Sequence, residues 1–379
     1  MTSRAIRELT APGPVGEAEI RRFLDHHDVP IVDPEGATFV YLGEADAVNL
    51  RHWVFGLPSV QPLERLDGSE LWHTHLELPA GSRIEYKLEV VRAGASAWIT
   101  DPLNPALAHD PFGANSVCSA HGYERPEWSL PDPDARAGSL DDLTVDSTVF
   151  GDPRRLRIYL PARFRRSRRY PLLIVHDGSD FLRYADLKTV LDNLIHRNEV
   201  APLIAVLSDP DDRMAEYRGS QTHSAFLAEE LLPRMQVGFP LLEAPLARGL
   251  MGASLGGVAS LATAWRYPGV FDNLLLQSGS FAFSDIGRHR RDPVFDPVAD
   301  LINAFRAAPG RPAERVYVSC GVYESLIYEN RSMVPLLQGL GIEVRYEEAR
   351  DGHHWENWRD RLRAGLSFLF PGPLWLVYE

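Results

Sequence analysis

The sequence predicts an α/β fold in which a doubly wound sheet is preceded by a smaller all-β domain. Two patterns indicate this organisation. In residues 147–379, short apolar runs such as 203–207 and 273–277 alternate with helix-like segments, and such runs are typical of strands that are buried on both faces. In residues 37–117, short alternating segments follow one another with turn residues but no helices between them, which is typical of a β-sandwich.

We expect four parts along the chain: an N-terminal arm (1–29), a β-sandwich domain (30–123), a linker (124–146) and a catalytic α/β domain (147–379). The arm is expected to be loosely held up to residue 15. A short amphipathic helix follows over 17–27, because Ile20, Phe23 and Leu24 recur at helical spacing. The linker is dense in Pro, Asp and Gly, which favours an extended connection over a packed element.

The sandwich strands are predicted over 38–42, 49–55, 70–78 and 83–91, with a last strand near residue 117. In the catalytic domain, the predicted strands cover 156–160, 170–175, 203–207, 249–251, 273–277, 315–319 and 343–346, and the predicted helices cover 184–197, 224–235, 255–265, 298–307, 330–339 and 355–369. In a doubly wound sheet, functional loops follow the carboxyl ends of the strands. Candidate residues are therefore expected directly after these runs.

Composition narrows the classes of function. The chain of 379 residues carries a formal net charge of −13, which argues against nucleic-acid binding and requires a local basic pocket for any anionic substrate. Cys118 and Cys320 lie far apart, so the sequence predicts neither a disulfide framework nor a zinc site, and no cofactor is implied. The N-terminus lacks an apolar h-region, and no apolar run approaches the length of a membrane span. We expect a cytoplasmic protein of unknown oligomeric state, without a membrane partner.

The strongest chemical signal is Gly252-Ala-Ser254-Leu-Gly256, a G-x-S-x-G motif between an apolar run and a helix-like run. In a nucleophile elbow the serine lies in a strained strand-to-helix turn, and glycines two residues before and after it let strand and helix approach closely. Ser254 is the predicted nucleophile. The Leu255 N–H, at the start of the helix, is the first predicted oxyanion donor.

A serine nucleophile needs a base, and in α/β hydrolases the chain order is serine, acid, histidine. His289 lies in a basic segment, whereas His353 and His354 follow Gly352, directly after the last predicted strand. We predict His353 as the base and keep His354 as the alternative. The orienting acid should follow the preceding strand.

Glu324 lies in that position. Asp351 is too close to His353 in sequence to reach the far side of the ring, and Glu329 lies near a helix start, where capping is its ordinary role. Glu324 is therefore the predicted acid.

Two other loops follow predicted strands. After 171–175, the segment His176-Asp-Gly178 offers Gly178, whose backbone N–H is the second predicted oxyanion donor; an ordinary Asp-Gly turn is the alternative. After 203–207, Arg213 could hold an anionic or carbonyl-bearing substrate, although pairing with Glu216 is slightly favoured. Arg183 lies just beyond the first of these strands and is the second candidate for an anion site.

Several segments together resemble the enterochelin (ferric enterobactin) esterase family, within the esterase D-type α/β hydrolases, which include feruloyl esterases. The resemblance spans nearly the whole chain, and it is carried by Arg213-x-x-Glu-Tyr217, Phe226-Leu-x-x-Glu-Leu-x-Pro233, Gly252–Gly257, Gln277-Ser-Gly-Ser280 and Gly352-His353 with Asn357-Trp-Arg359. Residues 39–116 resemble the immunoglobulin-like N-terminal domain of these esterases.

This resemblance implies Ser254 as nucleophile and His353 as base, and Glu324 matches the position of an acidic residue. Members cut the ester bonds of imported triserine-catecholate siderophores in the cytoplasm and so release iron. Where members often have tryptophans after the Gln-Ser-Gly-Ser segment, this sequence has Phe281-Ala-Phe283. Phe281 and Trp355 are the aromatic residues that we expect to contact the substrate.

Three functions are consistent with these patterns. The first is a siderophore esterase acting on a small ester substrate, a ferric siderophore. The second is an esterase of the same mechanism that acts on feruloyl, acetyl or other simple esters. The third is a non-catalytic glycan-binding or scaffold protein, against which the complete set of Ser254, Glu324 and His353 argues.

Overall fold

The structure is a computed structural model that describes residues 4–11, 13, 15–284 and 291–373. The chain divides into two compact units. The first unit combines Met1–Arg125 with two short later segments, Gly321–Ser325 and Ala349–His354, and the second unit contains Pro126–Cys320, Leu326–Glu348 and Trp355–Glu379. The four boundaries expected from the sequence remain a prediction. The candidate base and acid, which the sequence places in the catalytic domain, lie on the two short segments of the first unit.

The first unit contains two antiparallel sheets, ordered β1-β2-β6-β5 and β4-β3-β7-β10-β9, with β8 paired to β7. Its elements are α1 (Arg4–Thr10), α2 (Glu17–Asp25), β1 (Ile31–Asp33), β2 (Gly36–Leu42), β3 (Ala47–His52), β4 (Val60–Pro62), β5 (Glu64–Arg65), β6 (Leu71–Glu77), β7 (Arg83–Arg92), β8 (Ala95–Ile99), β9 (Leu107–Asp110) and β10 (Gly113–Ser119). One buried cluster joins Phe39 and Trp72 of the first sheet to Leu50 and Tyr86 of the second. The β-sandwich expected from the sequence is therefore present.

The N-terminal arm is more ordered than the sequence suggests. Helix α2 is close to the predicted helix, but residues 4–10, expected to be loose, form helix α1. Ile6 of α1 and Ile20 of α2 are buried with Val40 and Leu71 of the first sheet. Within α1, Ile6 is buried and Leu9 is partly buried against the same cluster, and two apolar contacts in so short a helix give too little periodicity for a sequence-based prediction.

The second unit contains an eight-stranded sheet ordered β11-β12-β14-β13-β15-β16-β17-β18. Its strands are β11 (Ser139–Asp146), β12 (Pro153–Leu160), β13 (Leu172–His176), β14 (Ile204–Ser208), β15 (Arg248–Ala253), β16 (Asn273–Gln277), β17 (Arg315–Gly321) and β18 (Glu343–Ala349). Its helices are α3 (Gly178–Tyr184), α4 (Leu187–His196), α5 (Arg213–Tyr217), α6 (Gln221–Ala225), α7 (Leu232–Gly238), α8 (Leu255–Arg266), α9 (Asp296–Ala307), α10 (Ile327–Gly339) and α11 (Trp355–Leu369).

The central strands of this sheet are buried on both faces. In β13, Leu172 and Ile174 point into one apolar cluster, and Leu173 and Val175 point into another. Strands β14, β13, β15, β16 and β17 are parallel neighbours, so their carboxyl ends lie at one edge of the sheet. This is the doubly wound α/β-hydrolase architecture that the apolar runs predict.

Two local features differ from the sequence-based expectation. Residues 139–146, expected to belong to a linker, form the edge strand β11, which pairs antiparallel with β12 over its whole length. The helix expected over 224–235 is interrupted, because Phe226–Leu231 forms a π-helical turn between α6 and α7.

Among the described residues, no helix combines the length and the apolar character that spanning a membrane requires.

Candidate active site

The G-x-S-x-G motif forms a sharp turn between β15 and α8. Ser254 has backbone angles φ 56° and ψ −120°, a conformation that is costly for a residue with a side chain. Gly252 must be glycine, because a Cβ there would lie 2.3 Å from the carbonyl carbon of Gly256. The glycines therefore allow the close approach that puts Ser254 at the tip of the turn.

Ser254 is held by the loop that follows β16. Its N–H donates to the carbonyl of Gln277 at 2.9 Å, and its own carbonyl accepts the N–H of Ser280 at 3.1 Å. The hydroxyl oxygens of Ser254 and Ser280 are 3.2 Å apart. Sequence reasoning assigned no role to Ser280, although the Gln-Ser-Gly-Ser segment was part of the resemblance. The structure places this hydroxyl beside the candidate nucleophile.

Strained backbone is concentrated where the central strands end. Asp177, Ser254 and Ser278 have positive φ angles of 54°, 56° and 45°, and they follow β13, β15 and β16, respectively. Such conformations persist only where the surrounding structure enforces them, and they are enriched at functional sites. This edge of the sheet is therefore the expected location of the chemistry in the second unit.

The two predicted oxyanion donors begin helices. Leu255 is the first residue of α8 and Gly178 the first of α3, and the N–H groups of a first helical turn have no acceptor within the helix. Gly178 cannot carry a side chain, because a Cβ would lie 2.5 Å from the Cα of Leu207 in β14. The neighbouring Asp177 N–H donates to the Tyr217 hydroxyl at 3.1 Å. Gly178 is thus part of a tightly fixed backbone.

Arg213 does not pair with Glu216, which the sequence slightly favoured. Its guanidinium donates to both carboxylate oxygens of Asp177, with Nε–Oδ1 3.0 Å and Nη2–Oδ2 2.9 Å. Burial raises the pKa of Asp177, and Arg213 opposes this rise. The Arg213–Asp177 pair joins α5 to the residue before Gly178. It could not be inferred from residues 213–217 alone, because its carboxylate lies 36 positions away in the sequence.

Glu216 belongs instead to a buried polar network below the elbow. It accepts bonds from Arg154 at 2.9 and 3.1 Å and lies 3.3 Å from Nδ1 of His223. Burial alone would raise the pKa of Glu216, but His223 and Arg154 lower it to about 2. His223 Nε2 lies 3.1 Å from His176 Nε2, and burial together with this neighbour lowers the pKa of His176 to about 3. His176 is therefore neutral at ordinary pH.

The predicted acid and base are in contact. Glu324, which follows β17, places Oε2 2.7 Å from Nδ1 of His353, which follows β18. The other oxygen of Glu324 accepts the N–H of Gly321 at 2.8 Å. The Glu324 side chain is 1% exposed and that of His353 is 39% exposed. A buried carboxylate therefore orients an accessible imidazole, as a general base requires.

The alternatives to this pair have other contacts. His354 Nδ1 lies 3.4 Å from Glu85, Asp351 pairs with Arg83, and Glu329 forms a two-bond pair with Arg291. His289 lies outside the described residues. Among the described histidines after Ser254, the structure thus brings His353 to the predicted acid.

The predicted substrate-contacting residues differ in accessibility. Arg183 is exposed on α3, with its guanidinium 5.2 Å from the Tyr184 ring centroid. Trp355 is half-buried in an aromatic cluster, with ring centroids 5.2 Å from Phe181 and 4.8 Å from Trp358. Phe281 is fully buried in the apolar core of the second unit, so its ring offers no surface for stacking in this structure.

No group of three or more His, Cys, Asp or Glu side chains that could hold a metal ion occurs among the residues that the structure describes. Taken together, the sheet, the elbow and the buried acid–histidine pair define the class of α/β hydrolases. Comparison with known proteins identifies the family within this class. The Esterase family model matches residues 147–369, and the chain belongs to that family.

Individual relatives fall in the same group. The chain is 25% identical over 278 residues to an iron(III) enterobactin esterase of Escherichia coli O6:H1, covering 72% of this chain and 67% of that protein. It has a TM-score of 0.72 to the enterobactin esterase of Shigella flexneri in the presence of enterobactin, at 21% identity, over 88% of this chain and 92% of the other. A ferulic acid esterase of Anaeromyces mucronatus matches with a TM-score of 0.52 and 16% identity, over 64% and 94%.

The chain is therefore a carboxylic ester hydrolase, similar to the enterobactin esterases. The family match supports an enzyme rather than a non-catalytic scaffold protein.

Proposed function

We propose that this esterase hydrolyses the ester bonds of a catecholate-type siderophore, with Ser254, His353 and Glu324 as its catalytic residues. The observation that supports the mechanism best is the 2.7 Å contact between Glu324 and His353, two residues that follow neighbouring strands after the Ser254 elbow. Serine, acid and histidine occur in the chain order that is typical of this fold.

In the proposed reaction, Nδ1–H of His353 donates to Glu324, which leaves Nε2 to accept the proton of Ser254. The serine oxygen attacks the ester carbonyl, and the resulting oxyanion accepts bonds from the N–H groups of Leu255 and Gly178. His353 then gives the proton to the departing alcohol oxygen as the ester bond breaks. Water, deprotonated by His353, releases the acid from the acyl-enzyme and restores the serine.

The siderophore as substrate is supported by similarity to enterobactin esterases at about a quarter of identical positions. In this chain, Trp355 provides a half-buried aromatic surface for an aryl group, and Arg183 provides an exposed cation. The cation matters because the net charge of −13 opposes the approach of an anionic ferric complex. We also propose a cytoplasmic location, where imported siderophores are opened.

A simple feruloyl or acetyl ester is the second candidate substrate. One observation favours it: Phe281 is fully buried, so this ring offers no open aromatic surface to a large catecholate. The mechanism of ester cleavage is the same for both substrates.

Purified protein assayed with enterobactin, its ferric complex, methyl ferulate and 4-nitrophenyl acetate separates the two candidates. We expect kcat/KM for enterobactin or its ferric complex to exceed that for methyl ferulate by about 100-fold or more, equivalent to about 3 kcal/mol of transition-state binding. Equal or higher values for methyl ferulate would reject the siderophore.

Arginine variants sharpen this test. Arg183→Gln should raise KM for the ferric complex about tenfold at low salt, and it should leave KM for 4-nitrophenyl acetate unchanged. Arg213→Gln should slow the hydrolysis of both substrates, because it leaves the buried Asp177, which is next to Gly178, without its arginine partner.

A further inference from the structure

Both loops that carry the proposed acid and base belong to the first unit, and the same short segment of that unit contacts both of them. We name residues 321–325 the acid loop, residues 349–354 the base loop, and residues 79–85, which include the start of β7, the anchor segment. We propose that the anchor segment positions Glu324 and His353 for catalysis, with Arg83 and Tyr323 as positioning residues. This inference rests on the proposed function.

Tyr323, next to Glu324, fixes the acid loop. The Ser82 hydroxyl donates to the carbonyl of Pro79 at 2.6 Å, so the Tyr323 hydroxyl, 2.6 Å from Ser82 Oγ, is the donor in that contact. The carbonyl of Tyr323 accepts the N–H of Phe55 at 2.8 Å. Side chain and backbone of one residue are thus both bound to the first 125 residues of the chain.

The base loop is bound through its backbone and through a carboxylate. The Arg83 N–H donates to the carbonyl of Arg350 at 2.9 Å, and the Arg350 guanidinium donates to the carbonyl of Ala80 at 2.6 Å. Nη1 of Arg83 lies 3.4 Å from Oδ1 of Asp351. That carboxylate also accepts the N–H of Gly352 at 2.7 Å, which fixes the turn directly before His353.

The charged groups in this arrangement are buried, so each of them needs its partner close by. Arg83 is 3% exposed and lies between two buried carboxylates, Asp351 and Glu85, the latter at 3.0 Å. Glu85 in turn accepts a bond from Asn115 at 2.8 Å. A buried charge that loses its partner is strongly unfavourable, so the position of Asp351 is coupled to that of Arg83.

The two loops are also bound to each other. The N–H of Tyr323 donates to the carbonyl of Asp351 at 3.1 Å, and the N–H of Val322 donates to that of Ala349 at 2.7 Å. A displacement of either loop would therefore change the 2.7 Å contact of Glu324 with His353. Misplacement of a catalytic group by about 1 Å can reduce a rate by about 100-fold. We therefore expect the contacts of the anchor segment to have a measurable effect on turnover.

Two variants test the anchor segment: Tyr323→Phe, which removes one hydroxyl, and Arg83→Gln, which removes the buried cation. Matched controls come from the same unit. Tyr86→Phe removes a buried hydroxyl bound to Asp101 at 2.7 Å, and Arg51→Gln breaks the Arg51–Glu89 pair at 2.6 Å. Neither control residue is bonded to the acid loop or the base loop in the contacts described above.

We expect kcat for 4-nitrophenyl acetate to fall about threefold to tenfold in Tyr323→Phe and about tenfold to 100-fold in Arg83→Gln, with KM changed less than twofold. Arg83→Lys should restore most of the loss, because it returns a cation to Asp351 and Glu85. Tyr86→Phe and Arg51→Gln should lower the unfolding temperature about as much as the two anchor-segment variants do, without changing kcat. Assays well below each variant's unfolding temperature separate turnover from stability.

Normal kcat in both Tyr323→Phe and Arg83→Gln would overturn the inference, as would equal losses in the controls. The proposed function fails by different results: higher turnover of methyl ferulate rejects the siderophore as substrate, and full activity of Glu324→Gln rejects Glu324 as the acid. If Arg83→Gln then still lost activity, the anchor segment would not act through the acid and base, and the inference would fall as well.

Discussion

The elbow and the acid–base loops carry the two halves of the proposed chemistry, and they are built in different ways. The elbow is local: Gly252, Ser254 and Gly256 determine its shape within five residues. The acid–base loops depend on remote segments, since Tyr323 is bound to a serine 241 positions away and Asp351 to an arginine 268 positions away. A nucleophile can therefore be recognised from a short motif, whereas the support of its base requires the folded chain.

The largest expected effect concerns the elbow. Ser254→Ala should reduce kcat for 4-nitrophenyl acetate by about 10⁴-fold or more while leaving the unfolding temperature unchanged, because the hydroxyl contributes chemistry and little packing. Ser280→Ala, which removes the hydroxyl 3.2 Å away, is the matched control and should cost less than about tenfold. A Ser254→Ala enzyme with a tenth of the original activity would remove this serine from the mechanism.

The adjacent histidines give the next largest contrast. His353→Ala should lower kcat by about 10³-fold or more, because the predicted base in contact with Glu324 is lost. His354→Ala should stay within about tenfold, since its ring faces Glu85. Steady-state assays of both variants decide between them. An inactive His354→Ala with an active His353→Ala would show that the base is the second histidine.

Glu324→Gln should have a graded effect. In the proposed mechanism the acid orients His353 and stabilises its charged form without exchanging protons with the substrate, so the loss should be roughly 10²–10⁴-fold in kcat. Glu329→Gln is the control, because that carboxylate pairs with Arg291. Full activity of Glu324→Gln would mean that another group holds the base.

The same contrast between local and remote contacts explains which strands the sequence predicts. Strand β16 coincides with the predicted 273–277, because a strand buried on both faces is a continuous apolar run. The edge strand β11 was missed, since its residues are mostly polar and only its pairing with β12 makes it a strand. Burial inside the sheet leaves a sequence signal that pairing at its edge does not.

The candidate site shows the same division. The motif and the chain order led to Ser254, Glu324 and His353, and the structure brings the last two into contact; their roles remain a proposal. The Arg213–Asp177 and Arg83–Asp351 pairs were not foreseen, because nothing in the sequence near an arginine specifies which remote carboxylate it will meet. Phe281 was expected to meet the substrate, but its type alone could not reveal that its ring is buried.

The smallest expected effect is on stability and concerns the buried network below the elbow. Folding holds the pKa of His176 at about 3, against about 6.5 in the unfolded chain, so between these values the unfolded chain binds more protons. Acidification in this window therefore favours unfolding, by about 2 kcal/mol for this histidine between pH 7.5 and pH 5.0.

Urea unfolding at these two pH values measures the effect. His176→Asn should reduce the pH dependence of the unfolding free energy by about 2 kcal/mol. An unchanged pH dependence in His176→Asn would contradict a neutral buried His176.

The central claim, that His353 and Glu324 activate Ser254, is tested most directly by covalent labelling with a fluorophosphonate. Peptide mass spectrometry after labelling should find the phosphonyl group on Ser254. The labelling rate should fall by about 100-fold or more in His353→Ala and Glu324→Gln, and stay near the original value in His354→Ala. A label on another residue, or a labelling rate that is the same in all four proteins, would contradict the account.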